Sequence, residues 1–438
     1  MWVDGLMGKA YGRLLLVAAC FLAAQLLGAQ ARTGAQGYPE LTPLPLSSQL
    51  SAMREPLPVE TIVDAALEFS GASDDLASAD KDKLSGLIMR FRAEVADVTS
   101  PADLADRALA FLHKNVFTRY SVRQARVDTA LESGVYNCVS SAVIYLILAR
   151  SVGLSVGGVR TTDHAFDTVL INGQPVDVET TNPYGYNPGS RKEFTDSFGK
   201  VTGYSYVPPS NYADRRAIGE KELLSLILYD RVSEYVDGKY LRDALQPAVS
   251  AYTLIGSDEL RLILINLLGA YSASFEGRKD WPGAIQFLDS AKASLGALPE
   301  LEKRRREVYH NWVVTLIASN ALTDAEAMLE QPAVQASLED ADWANLSIAT
   351  VQALADQEAR ANGYAAAASF VVDAIHRIGA RPLLLQTYEV YAHNTFALLF
   401  NQRKYSEAKT TVDQALQIYP DSHTLSQDLD LVKRALKQ

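Results

Sequence analysis

Residues 134–141 read Gly-Val-Tyr-Asn-Cys-Val-Ser-Ser, and the eight residues that follow them are all apolar or aromatic. Asn137 is a favourable N-cap residue for a helix, and Gly153, just beyond the apolar run, is typical of a helix C-terminus. The pattern therefore predicts a buried helix over residues 138–152, with Cys138 in its first turn.

A cysteine in the first turn of a helix lies beside backbone N–H groups that have no partner within the helix. These groups and the positive end of the helix dipole favour the thiolate, which is the nucleophilic form of the side chain. The same N–H groups could bind the oxyanion that forms when a thiolate attacks a carbonyl group. Cys138 is therefore a candidate nucleophile, and the alternative is a buried cysteine that serves as a small apolar residue.

After this helix the apolar residues recur with a period of two, which predicts strands over residues 156–159, 164–171 and 175–180. Asn172 and Gly173 form a favourable pair for a two-residue hairpin turn between the last two strands. With this turn, Ile171 pairs with Gln174, and every other pair of the hairpin is then fixed.

This register selects the carboxylates that His164 can reach. Glu179 lies diagonally beside His164 on the same face of the sheet, about 7 Å away along the backbone. Asp177 shares that face but lies one pair farther along, whereas Asp163 and Asp167 point to the opposite face. A histidine that takes the proton of a thiol needs an acceptor to orient its ring, and Glu179 or Asp177 could serve.

These motifs resemble the transglutaminase-like superfamily, which has a papain-like site, and particularly its bacterial branch that joins such a core to tetratricopeptide repeats. The resemblance covers about residues 100–215. It rests on Asn-Cys at a helix start, Ala-Arg-x-x-Gly-Leu at residues 149–154, His-Ala-Phe at 164–166 and Glu-Thr-Thr at 179–181. The chain departs from the family at this last motif, where many relatives have Asp-Pro-Thr, and at Val139, where an aromatic residue is common.

The resemblance implies an α+β papain-like core with Cys138 as nucleophile, His164 as base and acid, and Glu179 or Asp177 as the orienting carboxylate. The expected chemistry is acyl transfer through the thiol, with water as acceptor in a protease or amidase and an amine as acceptor in transamidation. The alternative is a non-catalytic periplasmic tetratricopeptide scaffold with a degenerate transglutaminase-like domain. The other histidines are expected to be structural or solvated: His113, His310, His376, His393 and His423.

Segments on either side of these motifs have simpler patterns. Three amphipathic helices are predicted around residues 63–69, 84–91 and 104–112, with Ser100 and Pro101 starting the third. Residues 182–212 are rich in Pro and Tyr and are predicted to form an irregular loop whose tyrosines pack onto the domain.

Beyond residue 218 the sequence is helical and repetitive. The pattern aromatic-x-x-Ala-x6-Ala begins at Trp281, Tyr364 and Tyr405, and weaker copies are marked by Ala244 with Ala251 and by Ala327. The copies lie 40–43 residues apart and resemble long, degenerate tetratricopeptide repeats. About five such helix pairs, followed by a capping helix, are expected to stack into an all-α solenoid whose concave face binds a protein or peptide.

The first 31 residues have the pattern of a secretory signal peptide. Lys9 and Arg13 precede a mainly apolar run over residues 14–27, which is too short for a spanning helix of about 20 residues. Cleavage is expected after Ala31, and Met7 is an alternative start. The protein is then periplasmic or in the cell envelope, and membrane attachment requires a lipidated Cys20 or an uncleaved signal.

Composition and missing motifs exclude several classes of function. Acids outnumber bases by 52 to 41, so no nucleic acid partner is expected. The sequence has no Gly-x4-Gly-Lys loop and no Cys-x2-Cys or His-x3-His pair, so no cofactor or metal is expected. The predicted organisation is a signal peptide (1–31), an extended lead-in (32–58), the transglutaminase-like domain with its N-terminal helices (59–215) and the repeats (216–438).

Overall fold

The computed structural model describes residues 38–39, 41–188, 190–203 and 214–437. These residues form nineteen helices and six short strands, so the described chain is mostly helical with a small sheet. The predicted signal peptide, its cleavage site and Cys20 lie outside the described residues. Among the residues that are described, no helix combines the length and the apolar character needed to cross a membrane.

The chain divides into two compact units. Of the described residues, the first comprises those up to 280 together with 286–297, and the second comprises 281–285 together with 298–437. The helices before residue 215, where the resemblance motifs end, are α1 (Pro45–Ala52), α2 (Val59–Ser70), α3 (Asp74–Glu94), α4 (Pro101–Asn115), α5 (Val127–Ser133), α6 (Cys138–Ser151) and α7 (Lys192–Thr202).

Two of these helices fall where the sequence predicts irregular structure. The lead-in over residues 32–58 contains α1, which begins at Pro45, a residue that fits the first turn of a helix. The loop over residues 182–212 contains α7, which buries Phe194 and Phe198 on one face. By contrast, α4 begins as predicted, because the Ser100 side chain accepts a hydrogen bond from the Asp103 backbone.

Helix α6 lies at the centre of the first unit. Twelve of its fourteen residues are buried, and it packs against α2, α3, α4 and α5 and against the sheet. The sequence of α6 has no polar stripe, and a helix without one can be buried on every side. It ends as predicted near Gly153, which has a φ of +84°.

Residues 156–218 contain a four-stranded sheet. Its strands are β3 (Val156–Arg160), β4 (Ala165–Ile171), β5 (Gln174–Val178) and β6 (Arg216–Ile218), in the antiparallel order β5-β4-β3-β6. A separate parallel pair is formed by β1 (Arg119–Tyr120) and β2 (Val135–Tyr136).

The predicted hairpin register is confirmed. Ile171 pairs with Gln174, and Asn172 and Gly173 between them have φ values of +52° and +80°, as a two-residue turn of this kind requires. The strands are shorter than predicted at their far ends. His164 therefore lies immediately before β4, and Glu179 lies immediately after β5.

The remaining helices form hairpins in chain order. They are α8 (Glu220–Asp237) and α9 (Leu241–Ile255); α10 (Asp258–Glu276) and α11 (Trp281–Leu295); α12 (Pro299–Ala318), α13 (Leu322–Leu329) and the short α14 (Pro332–Ser337); α15 (Asp340–Asn362) and α16 (Tyr364–Ile378); α17 (Pro382–Asn401) and α18 (Tyr405–Ile418); and α19 (His423–Ala435). In the second unit, α15 to α19 pack in succession, an arrangement compatible with a solenoid.

A common register relates the five hairpins. The second helix of each begins three residues before a fully buried alanine: Ala244, Ala284, Ala325, Ala367 and Ala408. The prediction that Ala327 marks the third copy is wrong, because Ala327 is exposed and Ala325 is buried. Four of these helices also follow, by two residues, a non-glycine residue with φ between +60° and +64°: Lys239, Lys279, Asn320 and Arg403.

Candidate active site

Cys138 is the first residue of α6 and is half-buried. Asn137 caps the helix, since its side-chain oxygen accepts hydrogen bonds from the backbone N–H groups of Val139 and Ser140, at 2.9 and 3.0 Å. The Ser140 hydroxyl accepts in turn from the Asn137 N–H, at 2.9 Å, which completes a capping box. The start of α6 is thus fixed on both sides of the cysteine.

His164 lies in the turn between β3 and β4. That turn is closed by the Thr161 N–H, which donates to the His164 carbonyl oxygen at 2.9 Å. The imidazole Nε2 lies 2.6 Å from Glu179 Oε2, and the Cys138 side chain lies close enough to the same ring to raise its pKa. Because Glu179 occupies Nε2, Nδ1 is the nitrogen left for the thiol. The structure therefore brings Cys138, His164 and Glu179 together in that order.

The second oxygen of Glu179 is fixed by the residues that follow it. Glu179 Oε1 accepts hydrogen bonds from the Thr181 backbone N–H at 3.1 Å and from the Thr181 hydroxyl at 2.7 Å. The Glu179 N–H donates to the carbonyl oxygen of Gly185 at 2.8 Å. A Cβ at position 185 would overlap the Glu179 carbonyl, so this close approach requires glycine.

The two charged forms stabilise each other. Burial alone would lower the pKa of His164, but the Glu179 carboxylate and the contacts with Cys138 and Glu179 outweigh it and raise that pKa well above its ordinary value. Burial alone would raise the pKa of Glu179, and the His164 charge with the hydrogen bonds from His164 and Thr181 lowers it instead. The pairing therefore favours the imidazolium and the carboxylate.

Asp177, the other predicted orienting carboxylate, does not contact His164. Both of its oxygens pair with the Arg215 guanidinium, at 2.6 and 2.9 Å, and Arg215 also lies over the Phe166 ring. The bidentate pairing holds Asp177 away from the imidazole. Of the two carboxylates that share a face in the predicted register, the structure thus gives His164 only Glu179.

Three side chains that support the site were not selected from the sequence. His113 Nε2 lies 3.0 Å from the Thr180 carbonyl oxygen, Ser141 Oγ lies 2.8 Å from Thr180 Oγ1, and the Tyr136 hydroxyl donates to the Thr181 carbonyl. Burial lowers the pKa of His113 to about 4, so its ring is neutral and can donate from Nε2. Of the three, only His113 had a signal in the sequence for a supporting role, namely its position in the last turn of α4.

Asp167 is a separate buried carboxyl group in the first unit. It is fully buried on β4 and neither oxygen has a hydrogen-bond partner among the described residues. Burial, with a smaller contribution from the Glu179 charge, raises its pKa well above the ordinary value. Burial without a partner therefore disfavours the charged form of this carboxyl group.

No cluster of His, Cys, Asp or Glu side chains within the described part of the chain could hold a metal ion. Comparisons with protein-family models, curated proteins and solved structures found no match to this chain.

Proposed function

We propose that this protein is a cysteine acyltransferase of the transglutaminase-like, papain-like type, which cleaves or exchanges an amide or ester bond through Cys138. The observation that carries the proposal is the position of the His164 ring, which lies beside the Cys138 side chain and has its Nε2 2.6 Å from Glu179 Oε2. A thiol, a ring that can exchange its proton and an oriented carboxylate are the three parts that nucleophilic catalysis requires.

In the first half-reaction, His164 holds the proton of the Cys138 thiol, and the thiolate sulfur attacks the carbonyl carbon and forms a C–S bond while the C=O electrons move to oxygen. The tetrahedral intermediate then collapses, the bond from carbon to the leaving amine or alkoxide breaks, and the His164 imidazolium protonates that leaving group. In the second half-reaction, neutral His164 takes a proton from water or from an acceptor amine, which attacks the thioester. The thiolate leaves, and the imidazolium is restored.

The first turn of α6 can stabilise the oxyanion of the intermediate. The Asn137 side chain occupies the N–H groups of Val139 and Ser140, and the Asn137 carbonyl accepts from the Ser141 N–H. Among the described residues, the backbone N–H of Cys138 itself has no acceptor. That N–H group lies on the nucleophile's own residue, where an oxyanion donor acts in acyl transfer.

The proposal is tested with p-nitrophenyl acetate as an acyl donor. Wild-type protein is expected to release p-nitrophenolate and to carry an acetyl group on Cys138, seen by peptide mass spectrometry. Cys138→Ser and His164→Ala are expected to lose at least about a hundredfold in rate. His310→Ala is the matched control, because His310 also contacts a carboxylate, Asp342, but lies far along the chain in the second unit.

Acetylation that proceeds equally in His164→Ala, or no acetylation of Cys138 in the wild type, would contradict the proposal. The second result would favour the alternative of a non-catalytic scaffold, in which Cys138 serves only as a packed residue.

A further inference from the structure

The side chain that caps α6 is itself held by a residue of α8. Asn137 is almost fully buried, and its Nδ2 donates to Asp230 Oδ2 at 3.1 Å and to the Val122 carbonyl oxygen at 3.3 Å. Asp230 lies within α8 (Glu220–Asp237), the first helix of the hairpin series and a neighbour of α6 in the first unit. A residue 93 positions along the chain thus contacts the residue next to the nucleophile.

A carboxylate can only accept hydrogen bonds, so it selects one orientation of a neighbouring amide. Asp230 requires Nδ2 on its side, and Oδ1 must then face the N–H groups of Val139 and Ser140. If the amide turned over, its NH2 group would face those two donors and the cap would be lost. The orientation of Asn137 in turn decides which N–H group of the first turn remains free.

We propose that Asp230 is a positioning residue for acyl transfer: it fixes the Asn137 amide so that the Cys138 N–H alone is left to bind the oxyanion. The inference rests on the proposed function of the site. It also makes the first helix of the hairpin series part of the acyl-transfer machinery, in addition to its place in the core.

Asp230→Asn is the informative variant because its side chain is nearly isosteric and its amide can either donate or accept, so both orientations of Asn137 become possible. Two reactions of Cys138 separate the roles. Acetylation by p-nitrophenyl acetate passes through an oxyanion, whereas alkylation by iodoacetamide does not. Loss of a negative charge near the thiol also does not disfavour the thiolate.

Asp230→Asn is expected to slow acetylation by about tenfold or more while alkylation at pH 7 stays the same or becomes faster. Asp230→Glu, which retains an accepting carboxylate, is expected to keep a larger share of the acetylation rate. Asp237→Asn is the control on the same helix, because Asp237 is about half exposed and its contact with Arg123 is long, at 3.8 Å.

Equal losses in both reactions would indicate that Asp230 only supports the fold near Cys138, and unchanged rates in both would show that it has no role; either result overturns the inference. If wild-type protein acetylates normally and Asp230→Asn does too, this inference alone fails. If the wild type is not acetylated at all, the proposed function fails together with it.

Discussion

At the scale of single residues, the imidazole of His164 lies between a thiol and a carboxylate, and its interactions with both favour its charged form. The pKa of His164 is raised above its ordinary 6.5, and that of Glu179 is lowered below its ordinary 4.5. The stabilisation from His164 is complete below pH 6.5 and is lost as the pH rises through its folded-state pKa. The stabilisation from Glu179 is complete above pH 4.5 and is lost as the pH falls through its folded-state pKa.

We therefore expect Glu179→Gln to lower the free energy of unfolding most between pH 4.5 and 6.5, where both charged forms are stabilised. The loss should shrink as the pH rises above 6.5, because the unfolded chain then releases the His164 proton that the folded wild type still holds, and this release favours unfolding. Urea unfolding of both proteins at pH 5.5 and pH 9 measures this difference. A loss that is the same at both pH values would contradict the coupling.

Gly185→Ala is expected to destabilise the protein by about 1–3 kcal/mol, because the new Cβ meets the backbone of Glu179 and cannot be relieved by a side-chain rotation. Gly86→Ala is the control, since Gly86 lies inside α3 and its Cβ would meet nothing within 4 Å. That change should stabilise by about 0.5–1 kcal/mol. Urea unfolding measures the change in the free energy of unfolding for each variant. The two changes should have opposite signs if the loop at Glu179 needs a glycine.

The sequence identified the three residues that the structure brings together because each has a local signal: a helix start for Cys138 and a fixed hairpin register for His164 and Glu179. It could not separate Glu179 from Asp177, since both share a face in that register. The residue that separates them, Arg215, is 38 positions from Asp177 and contacts it only in the folded chain. His113 was passed over for the same reason, as its contact with Thr180 spans 67 positions.

At the scale of elements, the repeated helices show how a strong local pattern can still be assigned the wrong register. The third copy, like the first, begins with leucine instead of an aromatic residue, here Leu322, and Pro332 stands where the second alanine would be. Pro332 starts the separate helix α14. With both markers changed, Ala327 was as good a candidate as Ala325 until burial distinguished them.

Ala325→Leu is expected to destabilise the protein by about 1–3 kcal/mol, because Ala325 is fully buried and three extra carbon atoms must displace its neighbours. Ala327→Leu adds the same atoms two positions farther along α13, at an exposed site, and should change stability by less than about 0.5 kcal/mol. Thermal unfolding followed by circular dichroism compares them. Equal destabilisation would contradict the corrected register.

At the scale of the whole molecule, the first compact unit extends beyond residue 215, the domain boundary expected from the sequence. The core that contains α2 and α6 also contains Leu223, Leu224, Ile227 and Leu228 of α8, which are all fully buried. The domain boundary expected at residue 215 follows the change from mixed to helical sequence. A helical pattern shows that α8 has an apolar face but not which core receives it, so the sequence could not assign the helix to the first unit.

A chain that ends at residue 297 is accordingly expected to unfold cooperatively and to retain the reactivity of Cys138. A chain that ends at residue 215 lacks α8 and leaves apolar side chains of α2 and α6 exposed, so we expect no cooperative thermal transition. Circular dichroism melts of both fragments test this. Cooperative unfolding of the shorter fragment at the same temperature as the longer one would contradict the role of α8 in the core.

The most direct test of the central claim is the rate of Cys138 alkylation by iodoacetamide as a function of pH, in wild type and in His164→Ala. The account predicts that the wild type reacts as a thiolate well below pH 8.5, the pKa of a free thiol, and that the variant loses this reactivity. A thiol that is unreactive in both proteins, or equally reactive in both, would contradict the claim that His164 activates Cys138.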